Sequence, residues 1–151
     1  MRIFESVADL AAAVGHNVGH SDWVTITQAD VNLFADATGD HQWIHVDAEK
    51  AAAGPFGTTI AHGFMTLALL PRLWHEMYTV SGIKLAVNYG LNKVRFPAPV
   101  PVGSKIRAHS SLVGVEDLGD GVVQATLSTT VEIEGSAKPA CVAESITRYI
   151  W

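Results

Sequence analysis

The sequence predicts an α+β fold in which an antiparallel β-sheet wraps around one central helix. Three observations predict it. The first half reads in helical periods and loops, whereas the second half reads in long apolar–polar alternations. One segment, 63–80, carries no charge from Phe64 to Leu70, so its first two turns are expected to be buried all round. The later alternations are separated by short turn signals, Gly119-Asp120-Gly121 and Gly135-Ser136, which imply an antiparallel meander. A meander needs an apolar partner for its inner face, and the buried helix upstream is the available one.

Each element has a local cause. Ser6 caps a short helix over 7–14 that Gly15 ends. A short strand is expected over 23–26. Thr27 then caps a second helix with Asp30 in its first turn, and Gly39 follows where a left-handed stop is expected. Asp47 caps a third helix over 48–53, broken by Gly54-Pro55. Pro71 should kink or interrupt the apolar helix. Beyond it, Leu85, Val87, Tyr89 and Leu91 alternate, with Val94 and Phe96 in a second register. Ile106 to Leu112, Val123 to Ile133 and Cys141 to Ile150 alternate in turn. Pro97, Pro99 and Pro101 cannot continue a central strand and make a stiff extended connector.

Length and composition narrow the function classes. A chain of 151 residues, 48% apolar and 17% charged, is enough for one core, and residues 1–151 are read as one domain. A net charge of −5 argues against a nucleic-acid binder. One cysteine, Cys141, excludes an internal disulfide and a cysteine zinc cluster. The opening Met1-Arg2-Ile3-Phe4 lacks the apolar core of a signal peptide, and no apolar run approaches the ~20 residues of a membrane span. The expectation is a cytoplasmic protein that does not enter membranes.

Four features could carry chemistry. Gly39-Asp40-His41-Gln42-Trp43-Ile44-His45 follows a helix stop and is expected to be loop. Asp40 and His45 on such a loop could hold a water and move its protons, or could be a solvated polar turn. A metal pair at His41 and His45 needs a helix that Gly39 argues against, so no metal site is expected. Gly57-Thr58-Thr59-Ile60-Ala61-His62-Gly63 enters the apolar helix, whose first N–H groups suit a carbonyl oxygen gaining charge. Gly63 would admit a ligand to the backbone or simply allow a tight entry, and His62 suits a ligand contact or a structural hydrogen bond. Lys84, Lys93, Arg95, Lys105 and Arg107 lie in an interval free of acids between Glu76 and Glu116. On two neighbouring predicted strands they would attract an anion such as a nucleotide phosphate, or form an ordinary solvated face.

These fragments occur in the order of a known family. The sequence resembles the MaoC-like, or hydratase 2, branch of the hot-dog-fold proteins, which includes the (R)-specific enoyl-CoA hydratases. Gly39-Asp40, with Ile44-His45, matches the hydratase motif, with Ala51 at its small downstream position. Gln42-Trp43 replaces the usual Asn-Pro, which resembles the nodulation-protein-N-like subgroup. Ala61-His62-Gly63 matches the entry to the central helix, and Phe96-Pro97-Ala98-Pro99-Val100, with Gly103, matches a later signature.

The resemblance implies a single hot-dog domain and a homodimer. It implies that Asp40 and His45 activate a water that adds to C3 of a trans-2-enoyl thioester, giving an (R)-3-hydroxyacyl thioester. The Gly63 N–H would polarise the thioester carbonyl. Gln42, His62 and the basic residues Lys84, Lys93, Arg95, Lys105 and Arg107 would contact the substrate, the last five through coenzyme A phosphates. No bound cofactor is implied, because coenzyme A enters with the substrate. The alternatives are a dehydratase on carrier-protein thioesters, a hot-dog thioesterase, and a non-catalytic acyl-binding or regulatory module.

Overall fold

The computed structural model describes residues 1–151. Strand β1 (Arg2–Phe4) leads into α1 (Val7–Ala12), where the Ser6 side chain accepts the Asp9 N–H. Strands β2 (Asn17–His20) and β3 (Val24–Thr25) precede α2 (Gln28–Thr38). Helix α2 opens on a capping box between Thr27 and Asp30, and closes on Gly39 at φ 76°. Helices α3 (Trp43–Val46) and α4 (Ala48–Ala52) follow, the second capped by Asp47 as expected. The apolar segment forms α5 (Gly63–Ala68) and α6 (Leu70–Met77), then a short strand β4 (Tyr78–Val80). Four long strands complete the chain: β5 (Leu85–Arg95), β6 (Lys105–Gly119), β7 (Val122–Ile133) and β8 (Cys141–Ile150).

The main sheet is antiparallel in the order β2-β6-β7-β8-β5, with β3 also on β6. Strands β6, β7 and β8 form the expected meander, and their alternating residues Ile106, Ala108, Leu112, Leu127 and Val131 turn inward. Against them pack Leu70, Leu73, Trp74 and Met77 of α6. The buried pairing at this seam is polar as well as apolar. The Trp74 indole N–H donates to Thr129 Oγ1, which also meets Ser110 Oγ. This buried chain holds the helix in one rotation on the sheet.

The central helix is interrupted at Leu69, one residue before the last helix begins, as expected from Pro71, which has no N–H to continue the ladder. Other sequence expectations are revised. The first turns are not buried all round: Met65 and Thr66 face the core, but Phe64 is 71% exposed. The end of the segment, Tyr78–Val80, is a strand paired in parallel with β1, not helix. Strands β5 and β6 are not neighbours. The proline-rich connector carries the chain across the sheet, and β5 settles on the far edge against β8. Two register shifts in β5 also break its alternation. Leu85 and Val87 lie opposite Ile150 and Arg148, whereas Leu91 lies opposite the buried Ser145, on the helix side.

Candidate active site

The proline connector builds one wall of the site. Val102 N–H donates to the Thr59 carbonyl and Ala61 N–H to the Val100 carbonyl, so the connector pairs with the segment entering α5. Prolines at alternate positions lack the N–H groups this pairing does not use. The braced segment then fixes His45. Ile60 N–H donates to the Ile44 carbonyl, and the Ile60 carbonyl accepts from His45 Nδ1–H at 2.7 Å. A carbonyl only accepts, so His45 carries its proton on Nδ1 and presents Nε2 as a free base.

His45 is on a helical turn rather than in open loop. Asp47 N–H closes this turn on the Trp43 carbonyl, with Trp43 lodged where a side chain at Gly54 would sit. His45 is 6% exposed. Burial lowers its pKa and the neighbouring His62 lowers it further, against the opposing effects of the Ile60 bond and Asp40. The ring is therefore neutral at neutral pH, as a proton acceptor must be.

Asp40 hangs over this ring from the loop after α2, its side chain 55% exposed. Its carboxylate, His45 and His62 bring one ligand atom each within 4.8 Å of one another. His62, expected among the substrate contacts, is not at the surface. It lies at 3% exposure beneath the loop, with its ring stacked on His45 at 3.8 Å between centroids. His41 points elsewhere, to Asp36 Oδ1 at 2.8 Å, a bond that raises its pKa. Thus the two histidines beside Asp40 are five and 22 residues away in sequence, and the second could be found only as part of the helix-entry motif.

A cavity of about 330 Å³ opens beside His45, lined by Phe56, Gly63, Thr66, Phe96 and Val100. Gly63 is the first residue of α5, so its N–H has no earlier carbonyl within the helix. A Cβ there would meet the Phe96 ring at 3.0 Å, so any larger residue would push that ring aside by a few tenths of an ångström. Gln42 is exposed at the start of α3.

The basic residues do not converge. Lys105 lies 3.9 Å from Glu134, and Arg107 bonds Glu132 at 2.8 Å and stacks on Trp23. Lys84 Nζ donates to the Trp151 carbonyl. Lys93 and Arg95 stand at the end of β5, where the chain enters Phe96 at the cavity.

Comparison with known proteins agrees with this geometry. The model of the MaoC-like domain matches residues 9–133. The chain belongs to the MaoC-like family. Among relatives of this MaoC-like protein, 3-hydroxyacyl-thioester dehydratase Z of Mycobacterium tuberculosis is 85% identical over 150 residues, 99% of each chain. Nodulation protein N of Rhizobium leguminosarum bv. viciae is 44% identical over 144 residues, 94% of this chain and 89% of that one. The solved (R)-hydratase of A. caviae superimposes with a TM-score of 0.72 at 25% identity, over 89% of this chain and 94% of that one. The MaoC-like protein has the hot-dog fold, and it is an enzyme of the hydratase–dehydratase type. No helix in it is long and apolar enough to cross a membrane.

Proposed function

We propose that this MaoC-like protein, acting as one domain over residues 1–151, interconverts trans-2-enoyl-CoA and (R)-3-hydroxyacyl-CoA. The observation that carries the reading is the Asp40–His45 pair: an exposed carboxylate over a buried neutral imidazole whose free nitrogen faces the same small volume. In the hydration direction, Asp40 and His45 Nε2 hold one water. Its oxygen bonds to C3 as one of the two groups takes its proton. The electron pair of the double bond moves toward the thioester oxygen, which the Gly63 N–H stabilises, and a proton is returned to C2. Dehydration is the reverse. Coenzyme A arrives as part of the substrate, so the proposed step needs no resident organic cofactor, and Asp40 and His45 carry the proton transfers themselves.

The test is the consumption of a short trans-2-enoyl-CoA with chiral analysis of the product. An (R)-3-hydroxyacyl-CoA is expected, whereas release of free thiol would mean thioester hydrolysis instead. Gln42, exposed two residues after Asp40, and the cations Lys93 and Arg95 are the substrate contacts we assign outside the catalytic pair. Lys93→Ala and Arg95→Ala should each raise KM for the enoyl-CoA several-fold with little change in kcat, because a phosphate contact is the same in ground and transition states. The effect should shrink at high salt, where exposed charges are screened within ~10 Å or less. Lys105→Ala and Arg107→Ala, with their cations already paired to glutamates, should leave both constants unchanged.

The reading includes a homodimer. Strand β5 is an edge strand exposed along nearly its whole length, and Leu85, Val87, Tyr89 and Leu91 are all exposed large apolar side chains. A bare apolar edge of this length calls for a covering strand, and a second β5 supplies one. Sedimentation should give a dimer at micromolar concentration, and a monomer there would overturn this part of the reading. The single cysteine is a buried free thiol, and a chain that uses no disulfide is at home in the reducing cytoplasm, where we place it.

A further inference from the structure

His62 is a buried ionisable side chain to which the proposed reaction gives no step. Its Nε2 lies 2.9 Å from the backbone carbonyl of Asp40, 22 residues earlier, and donates to it, because the carbonyl can only accept. Its Nδ1 is buried with no hydrogen-bond partner. Buried polar atoms are rarely left unpaired, so this ring is kept in place for what its other nitrogen and its faces do. One face stacks on His45 at 3.8 Å and 23°, and Phe34 lies 5.0 Å from the ring centroid. Its backbone also starts the central helix: the His62 carbonyl accepts from Met65 and Thr66, and Gly63 is the next residue.

We propose that His62 is a positioning residue that sets the Asp40 carboxylate against His45 and against the start of α5. The inference rests on the Asp40–His45 reading of the site. By one hydrogen bond and one stacking contact, His62 ties the Asp40 loop and the His45 turn to the start of α5, two stretches that lie 17 to 22 residues apart in sequence. At 3% exposure it offers the substrate no surface, so it acts through Asp40 and His45. Nothing else in the side-chain bonding of Asp40 fixes it as well. Its carboxylate accepts one hydrogen bond, a long one from the Gln42 N–H at 3.4 Å, with His62 Nε2 itself 3.9 Å from Oδ2, and its own N–H meets Thr38 Oγ1 at 3.4 Å. An ångström of drift in a reacting group can cost ~10²-fold in rate, so loss of the tie should appear in turnover.

The experiment compares His62→Gln with His62→Asn. Both substitutions are small amides, but the glutamine Nε2 reaches about as far as the histidine Nε2, and the asparagine nitrogen stops short. His62→Gln should keep kcat within several-fold, and His62→Asn should lower it by ~10- to 100-fold, with KM for the enoyl-CoA changed little in both. His62→Phe, which keeps a stacking ring without a donor, should behave like His62→Asn. In the Asp40→Asn background, His62→Asn should cost much less than its ~10- to 100-fold in the native protein, because most of its effect runs through Asp40. Equal activity of His62→Gln and His62→Asn overturns the proposal, as does a raised KM with kcat preserved, which would make His62 a substrate contact. Asp40→Asn assayed alone separates the two readings. If it stays active, the catalytic assignment fails. If it is inactive and His62→Asn is not impaired, only the role of His62 fails. Should these variants melt early, nitrogen NMR of the native protein decides: a His62 proton on Nε2 supports the bond to Asp40, and one on Nδ1 alone overturns it.

Discussion

Asp40→Asn and His45→Gln should each lower turnover by ~10²-fold or more while leaving the fold intact. The expectation follows from how little else these side chains do. Asp40 is on the surface of a loop and holds up no core. Its amide replacement keeps the size and loses the proton-accepting charge. His45 is buried, and glutamine keeps a polar side chain of similar reach in its place while losing the basic nitrogen. Wild-type activity should fall on acidification as His45 gains its proton. Because burial lowers the His45 pKa, this acid limb should lie below the ordinary histidine value of 6.5, so the neutral-to-mildly-acidic range stays active. In His45→Gln the limb should vanish from the residual rate. The measurements are kcat and kcat/KM for the enoyl-CoA against pH, with circular dichroism as the check on folding. Near-native turnover in either folded variant would remove that residue from the mechanism.

Leu73→Ala should be among the most destabilising single truncations, at ~2–5 kcal/mol. Leu73 is 0% exposed and sits in the middle of α6, facing the inner side of the sheet. The loss combines the transfer term of the side chain with the cavity left under the sheet. For a domain of this length it corresponds to a fall in Tm of roughly 4–20 °C. Leu33→Ala on α2 is the matched control, because Leu33 is 68% exposed and its removal should change stability by no more than ~0.5 kcal/mol. Thermal melts of the two variants decide the matter, and equal shifts would mean that the helix is not the core of the protein.

Local chemistry made much of this protein legible in its sequence. Ser6, Thr27 with Asp30, Gly39 and Asp47 end or begin helices where capping rules put them, because each satisfies backbone groups within three or four residues. The period-two alternation of β6, β7 and β8 marks their inward faces for the same reason, since the pleat is a property of one strand. Asp40 and His45 were visible as a pair because only five residues separate them. Other features depend on which strand meets which, and that is decided by burial over the whole chain. Strand β5 alternates like its neighbours in sequence, yet it lies on the far edge, with its bulges moving Leu91 to the helix face of the sheet while leaving it exposed. The five cations are close in sequence but fall on opposite sides of the sheet, because two other strands pair between β5 and β6. The uncharged start of the central helix gives no sign of which side is covered, and Phe64 ends up exposed. His62 belonged to a helix-entry motif, and only the packing of that helix under the Asp40 loop brought its ring onto His45. Short-range hydrogen bonding could be read from the sequence, whereas strand order and the meeting of distant side chains came from the one arrangement that buries the apolar surface together.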